Sequence, residues 1–243
     1  MSRLCGLVVA ALFLAPVMVP ASPGPGSVPR LFGTFRPVPG VWAEYRVADK
    51  ATGRAIRMRM SIVGKEGDGV WYEVLQDDGG SRNIVKMLVR GDPDDPDNIE
   101  RLILKSGDAP AVEMPRDFVA MGRRMAVHMF ERRSGVPVEG TEGLRVVDEG
   151  RRTVTVPAGT FRATLRKIVD PQGKVLATYA FDPDVPPFGV ITSDTGRTTM
   201  ELVAYGRDAT SAITETPAPM AFPPGMPKGL PRGMSPGMPG ARD

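Results

Sequence analysis

Cysteine and histidine are nearly missing from this chain: its 243 residues include one of each. A single Cys excludes a disulfide framework, a zinc knuckle and an intramolecular redox pair. A single His excludes any metal or catalytic site built from two or more histidines. Aromatic residues make up only 6%. The interleaving of basic and aromatic side chains that stacks nucleic-acid bases is therefore not there, and no nucleic-acid partner is expected. The net charge is +3, a mild excess rather than a polyanion-binding field. No glycine-rich loop sits between a strand and a helix to cradle a phosphate. What the chain does have is 42% hydrophobic and 24% charged residues, 28 Gly, 25 Pro and 14 Met. That is enough apolar material for a core and rules out wholesale disorder.

The two ends differ from the middle. Arg3 precedes an almost unbroken apolar run over residues 4–14, and the small residues Ala15, Ala21 and Ser22 lie near its end. Residues 1–22 are expected to be a cleaved secretory signal peptide. The run is too short for a comfortable membrane span and Pro16 interrupts it, so no stable span is expected after cleavage. Cys5 lies at the start of the apolar run rather than at its end, which does not fit a lipidation signal, and the mature chain would hold no Cys. Residues 23–40 read as a Pro/Gly-rich linker. Residues 216–243 repeat Gly-Met-Pro-like units such as Gly225-Met226-Pro227-Lys228 and Gly237-Met238-Pro239-Gly240. They read as a disordered tail. A soft-metal thioether site and a partner-binding segment are the alternatives for that tail. One domain, residues 41–215, is expected between linker and tail.

Alternation dominates that domain. In residues 55–63, Ile56, Met58, Met60 and Ile62 fall on one face, with Arg57, Arg59 and Ser61 on the other. This is the period-two pattern of a strand with one buried and one solvated face. Val85, Met87 and Val89 do the same opposite Lys86 and Arg90. Further strands are read at residues 41–48, 70–76, 99–105, 144–148, 153–156, 161–170, 174–181, 190–193 and 197–205. Short turns such as Asp77-Asp78-Gly79-Gly80 and Asp170-Pro171-Gln172-Gly173 separate them. Short connections mean antiparallel neighbours, and an eleven-strand meander is expected to curl. In Val156-Pro157-Ala158-Gly159, Pro157 suits the first corner of a type I turn. Gly159 is expected to be left-handed, closing a three-residue loop.

Residues 115–133 are the one stretch with helical periodicity: Phe118, Met121, Met125 and Met129 recur on one side and Arg123, Arg124, Arg132 and Arg133 fill much of the rest. The Met stripe suits either ordinary packing on the sheet or an adaptable apolar binding surface. His128 stands on this helix without partners. Asp92, Asp94, Asp95 and Asp97 crowd one turn without the spacing of a calcium loop. Asp182 and Asp184 flank Pro183 and would support hydrolysis only across a cleft.

Three segments carry a resemblance: Val156-Pro157-Ala158-Gly159-Thr160-Phe161, then Tyr179-Ala180-Phe181-Asp182-Pro183-Asp184-Val185-Pro186, and Glu201-Leu202-Val203-Ala204-Tyr205-Gly206. With the order of strands, helix and strands, residues 41–206 resemble the bacterial periplasmic lipoprotein-carrier superfamily, the Lol-like and outer-membrane lipoprotein-sorting-like proteins. The chain departs from the carriers in its long N-terminal linker and its Met/Pro/Gly tail. The resemblance implies a mainly β fold, a curled antiparallel sheet of about eleven strands forming an open half-barrel around a central helix. It also implies a periplasmic, non-catalytic protein without cofactor or metal, sheltering a lipid or lipoprotein acyl chain. By position, Met58, Met60, Phe118, Met121 and Met125 would line the ligand site. The alternatives are an envelope scaffold acting on a protein partner through edge strands or the tail, and a hydrolase of unfamiliar type using Asp182 and Asp184.

Overall fold

The computed structural model describes residues 33–93, 96–115, 119 and 144–220. In chain order the strands are β1 (Trp42–Asp49), β2 (Ala55–Glu66), β3 (Gly69–Asp77), β4 (Arg82–Val89), β5 (Ile99–Ser106) and β6 (Val112–Glu113). They continue with β7 (Arg145–Val156), β8 (Gly159–Val169), β9 (Val175–Phe181), β10 (Val190–Thr195), β11 (Thr198–Gly206) and β12 (Ala218–Pro219). All twelve form one sheet in the order β12-β6-β5-β4-β3-β2-β1-β11-β10-β9-β8-β7. Every neighbouring pair is antiparallel except β12 on β6, which is parallel. Two meanders thus meet at β1: one runs outward from β1 to β6, the other inward from β7 to β11.

Aspartates set the turns. Asp49, Asp77, Asp78, Asp148, Asp170 and Asp182 each accept the backbone N–H two residues on, at 2.8–3.0 Å. A short carboxylate can reach that N–H and stand in for a ladder bond where the strand ends or kinks. Backbone bonds from Thr52, Gly79 and Gly80 respectively hold Asp49, Asp77 and Asp78 below the usual carboxylate range.

The structure departs from the expected strand plan. The strands expected at residues 144–148 and 153–156 are one strand, β7 (Arg145–Val156), because Glu149-Gly150 is a bulge rather than a turn; the register against β8 shifts between Asp148 and Arg151. The two-residue strands β6 and β12 are too short to leave a periodic trace. Gly159 does have positive φ, +135°, but Val156 pairs directly with Gly159, so two residues rather than three form the loop. The ladder is open, with β12 and β7 as its edges, and is not strongly curled. The expectation of strong curl rested on sheet length alone. Here the sheet is instead covered on different faces over different stretches. The central helix falls almost wholly outside the described residues, where the only helix is a three-residue 3₁₀ turn at Pro96–Asn98. Val119 is the exception: it is buried and its N–H reaches Pro115 O at 3.1 Å, one α-helical turn.

The main core lies on one face. Tyr45, Ile62, Val185, Ile191 and Leu202 are fully buried there. Burial pushes the Tyr45 hydroxyl well above its usual range, and its proton is donated to Val190 O at 3.2 Å. Phe35, in the stretch read as linker, joins this core in an aromatic trio with Tyr72 and Phe188, with ring centroids 5.2–5.9 Å apart. Its segment is anchored by Arg36 N–H to Pro187 O at 2.8 Å. A smaller core of Ile84, Ile103, Ala111 and Ile213 lies on the opposite face, with Trp71 and Leu75 packed against it. There residues 207–220 form a strap across β3–β6. Ser61, which strand alternation places on a solvated face, and its cross-strand neighbour Glu73 are buried on the strap's side of the sheet.

Candidate functional site

Residues directly opposite each other in a ladder share a face. The pairings Met60↔Val74↔Val85↔Leu104↔Val112 define one row running from β2 to β6. Ile62↔Tyr72↔Met87↔Leu102 define the next. Both rows are apolar apart from the Tyr72 hydroxyl. Met60, Ile62 and Tyr72 are buried in the main core, and Val74 and Met87 are half-buried against it. Val85, Leu102, Leu104 and Val112 are half-buried and belong to neither core. Cover over this face therefore thins toward the β6 edge while the side chains stay aliphatic.

The row beyond Met60 changes character: Met58↔Gln76↔Asn83↔Ser106. Met58 is half-buried against the core. Ser106 Oγ–H donates to Asn83 Oδ1 at 2.7 Å on the exposed surface. An aliphatic surface thus ends on a neutral polar rim. Such an arrangement offers dispersion and desolvation energy to an apolar chain and hydrogen bonds to a polar head, but no nucleophile or general base on the rows themselves.

The reverse face of the same strands is closed and charged. Glu73, 3% exposed, accepts Ser211 Oγ–H at 2.7 Å and Ala212 N–H at 2.9 Å. Ser211 Oγ in turn accepts from Lys86 Nζ at 3.0 Å and Ile213 N–H at 3.2 Å. Lys105 pairs with Glu215, which also accepts Ala111 N–H, and the Lys105 bond holds the Glu215 carboxyl at about 2. Arg101 bridges Glu113 and Glu66 at 2.6 and 3.0 Å; its hydrogen bond lowers the Glu113 carboxyl. The Trp71 ring lies beneath both Lys86 and Arg101, 5.1 and 5.0 Å from its centroid. These bonds fasten the strap and leave the first face as the one with apolar surface to offer.

Of the residues singled out from sequence, Met58 and Met60 share the apolar face. Phe118, Met121 and Met125 lie outside the described residues, as does His128. Asp182 accepts Asp184 N–H at 3.0 Å and serves a turn. In the acidic turn, Asn98 Nδ2–H donates to Asp92 O at 2.9 Å, and Asp94 and Asp95 lie outside the described residues. No group of three or more metal-ligating side chains is assembled among the described residues. No described helix is long and apolar enough to cross a membrane. Val85, Leu102, Leu104 and Val112 were not singled out from sequence as site residues. Three of them sit in read strands, but only the register shows that they extend the Met60 row and its neighbour.

No family model matches the chain, and no curated protein matches it. Among solved structures, one similar chain is a protein described as exported, with a YmcC-like fold, from Bacteroides fragilis. It is 11% identical, with a TM-score of 0.32, over 72% of this chain and 100% of that one. A second is a protein described as a lipoprotein from Parabacteroides distasonis, 10% identical, with a TM-score of 0.30, over 72% of this chain and 99% of that one. A third is MucB, crystallised in complex with MucA(peri). It is 10% identical, with a TM-score of 0.30, over 73% of this chain and 53% of that one.

Proposed function

We propose that this is a non-catalytic periplasmic protein that shelters an apolar ligand, a lipid or lipoprotein acyl chain, on the β2–β6 face. The observation that carries the reading is the pair of apolar rows whose outer members, Val85, Leu102, Leu104 and Val112, are half-buried outside either core. The neutral rim of Gln76, Asn83 and Ser106 suits the polar end of an amphiphile. In this reading the helix of residues 115–133 lies over the face, and Phe118, Met121 and Met125 complete the lining with Met58 and Met60. Two facts support that placement. β6 and β7 follow each other in the chain yet lie toward opposite ends of the ladder. Val119, between them, is buried within a helical turn. Residues 1–22 direct export and are removed; the chain before Gly33 and after Met220 acts as linker and tail, while residues 33–40 and 216–220 belong to the folded domain. No cofactor takes part.

Covering a half-exposed leucine contributes about 1 kcal/mol of hydrophobic free energy. A Leu102→Asp/Leu104→Asp variant is therefore expected to bind a fluorescent fatty acid at least about tenfold more weakly than the parent. Native mass spectrometry of protein purified from its host should show an additional lipid mass that this variant lacks. A parent that carries no lipid and does not bind the probe, or a folded variant that binds it as the parent does, overturns the reading.

A further inference from the structure

The strap of residues 207–220 is seated like an extended ligand. Ala209, Ser211, Ile213, Glu215 and Pro217 are buried or half-buried, while Thr210, Ala212, Thr214 and Thr216 between them are exposed. The alternation is one of burial alone, since the inward side chains share no hydropathy. Each has its own seat. Ile213 enters the small core with Ile84, Ile103 and Ala111. Ser211 Oγ sits between Glu73 and Lys86, and Glu215 meets Lys105 and Ala111 N–H. At the far end Ala218 N–H and Met220 N–H donate to Ala111 O and Glu113 O at 2.9 and 3.0 Å, which adds β12 to β6. From Ser211 onward these seats belong to β3–β6 and to Ala111 just before β6.

The chain enters the strap through one strained residue. Asp208 has φ of +69°, and no other non-glycine among the described residues has a positive φ. It is held on both sides: Arg207 O accepts Trp42 Nε1–H at 3.0 Å, and Ala209 N–H donates to Gly40 O at 2.8 Å. When an element is exchanged between identical chains only the hinge changes conformation, so strain confined to the hinge favours exchange. We propose that two copies of this chain exchange residues 209–220 about Asp208, each strap seating in the β3–β6 groove of the other. Every seat is then filled by the residue that fills it in the closed monomer, so a second copy fits the groove without new chemistry. The copies meet at the hinges, where Val38, two residues before Gly40, is 47% exposed. The exchanged β12 still ends each ladder. Pro219, between the two amides that bond β6, has no N–H to offer outward, so strand pairing stops at two copies.

Sedimentation of the purified full chain tests this, with thermal melts to confirm that each variant is folded. The parent is expected to show a dimer at about 100 µM. Lys105→Glu and Glu215→Lys each set like charges against each other in the closed monomer, and in an exchanged dimer of either variant with itself. When the two variants exchange straps with each other, both seats regain an opposite pair. Their equimolar mixture is therefore expected to dimerise at least about tenfold more tightly than either alone. The hinge gives a second, independent reading. Asp208→Gly removes the strain of the closed form and should weaken the dimer at least about fivefold, whereas Asp208→Val, a β-branched residue at positive φ, should tighten it by about tenfold or more. A dimer formed side by side with both straps closed would respond to neither pair of changes. A parent that stays monomeric overturns the proposal, as does a mixture of folded charge variants that dimerises no better than each alone. Folded Asp208 variants that dimerise as the parent does overturn it too.

Discussion

Replacing Glu73 with Ala should destabilise the protein by about 3 kcal/mol. The carboxylate is buried and accepts two bonds from the strap, one from Ser211 Oγ–H and one from Ala212 N–H. A hydrogen bond to a charged group contributes about 1.5–3 kcal/mol, and a buried donor left without its acceptor costs about 1–3 kcal/mol. The lower end of each range applies because the strap can loosen and let water in. Lys86, held by Ser211 and placed directly opposite Glu73, would also lose its balancing charge. For a domain of this size, 3 kcal/mol corresponds to a fall in Tm of about 6–12 °C. Glu73→Gln keeps an acceptor oxygen and should lose about half as much. Differential scanning calorimetry gives the Tm, and hydrogen exchange at Ala212 and Ile213 reports whether the strap is what loosens. A Glu73→Ala protein that melts within 1 °C of the parent, or unchanged exchange at Ala212, would show that the buried carboxylate does not hold the strap.

Gly33 has no room for a side chain: a Cβ there would lie 2.0 Å from Phe188 O, a backbone atom that cannot rotate aside. Gly33→Ala is expected to cost at least about 2 kcal/mol by displacing the Phe35 segment; a denaturant midpoint equal to the parent's would refute this. Acid should loosen the strap before the main core. Glu215 titrates at about 2 in the fold against an ordinary 4.5. Its contribution is complete above 4.5 and fades as pH falls toward 2, and Glu113, lowered by Arg101, follows the same sign. Trp71 fluorescence in a Trp42→Phe background should report that transition, and Glu215→Gln should flatten it; an identical acid profile in the variant would contradict the assignment.

The face of β2 was legible because nothing interrupts it. Met58, Met60 and Ile62 alternate cleanly with Arg57 and Arg59, and the structure keeps that division. Ser61 and Glu73 were not legible. Alternation places Ser61 with Arg57 and Arg59, Glu73 lies on a strand that does not alternate cleanly, and only a strap with no periodicity of its own makes that face an interior. Phe35 was hidden by its setting, one aromatic among Pro and Gly. β7 was split in two because Glu149-Gly150 has the composition of a turn, and a bulge reverses the phase of alternation just as a turn would break it. At the candidate site, two methionines marked the face. Its extension to Leu102 and Leu104 depends on cross-strand register, which single-strand patterns do not contain.

The seam between β1 and β11 bears on how the chain reaches this fold. Within each meander, neighbours are joined by connections of two to nine residues and can pair hairpin by hairpin. β1 finds its second neighbour only in β11, and Trp42 Nε1–H bonds Arg207 O across 165 residues of chain. Closing a loop of that length, rather than one of about ten residues, costs about 2–3 kcal/mol more in chain entropy. Non-local pairing of this kind slows folding. β1 is thus among the first strands synthesised and among the last to be enclosed. Until β11 exists, one flank of β1 is an unpaired edge, and the interval between the two meanders is when the chain is most open to pairing with the wrong strand.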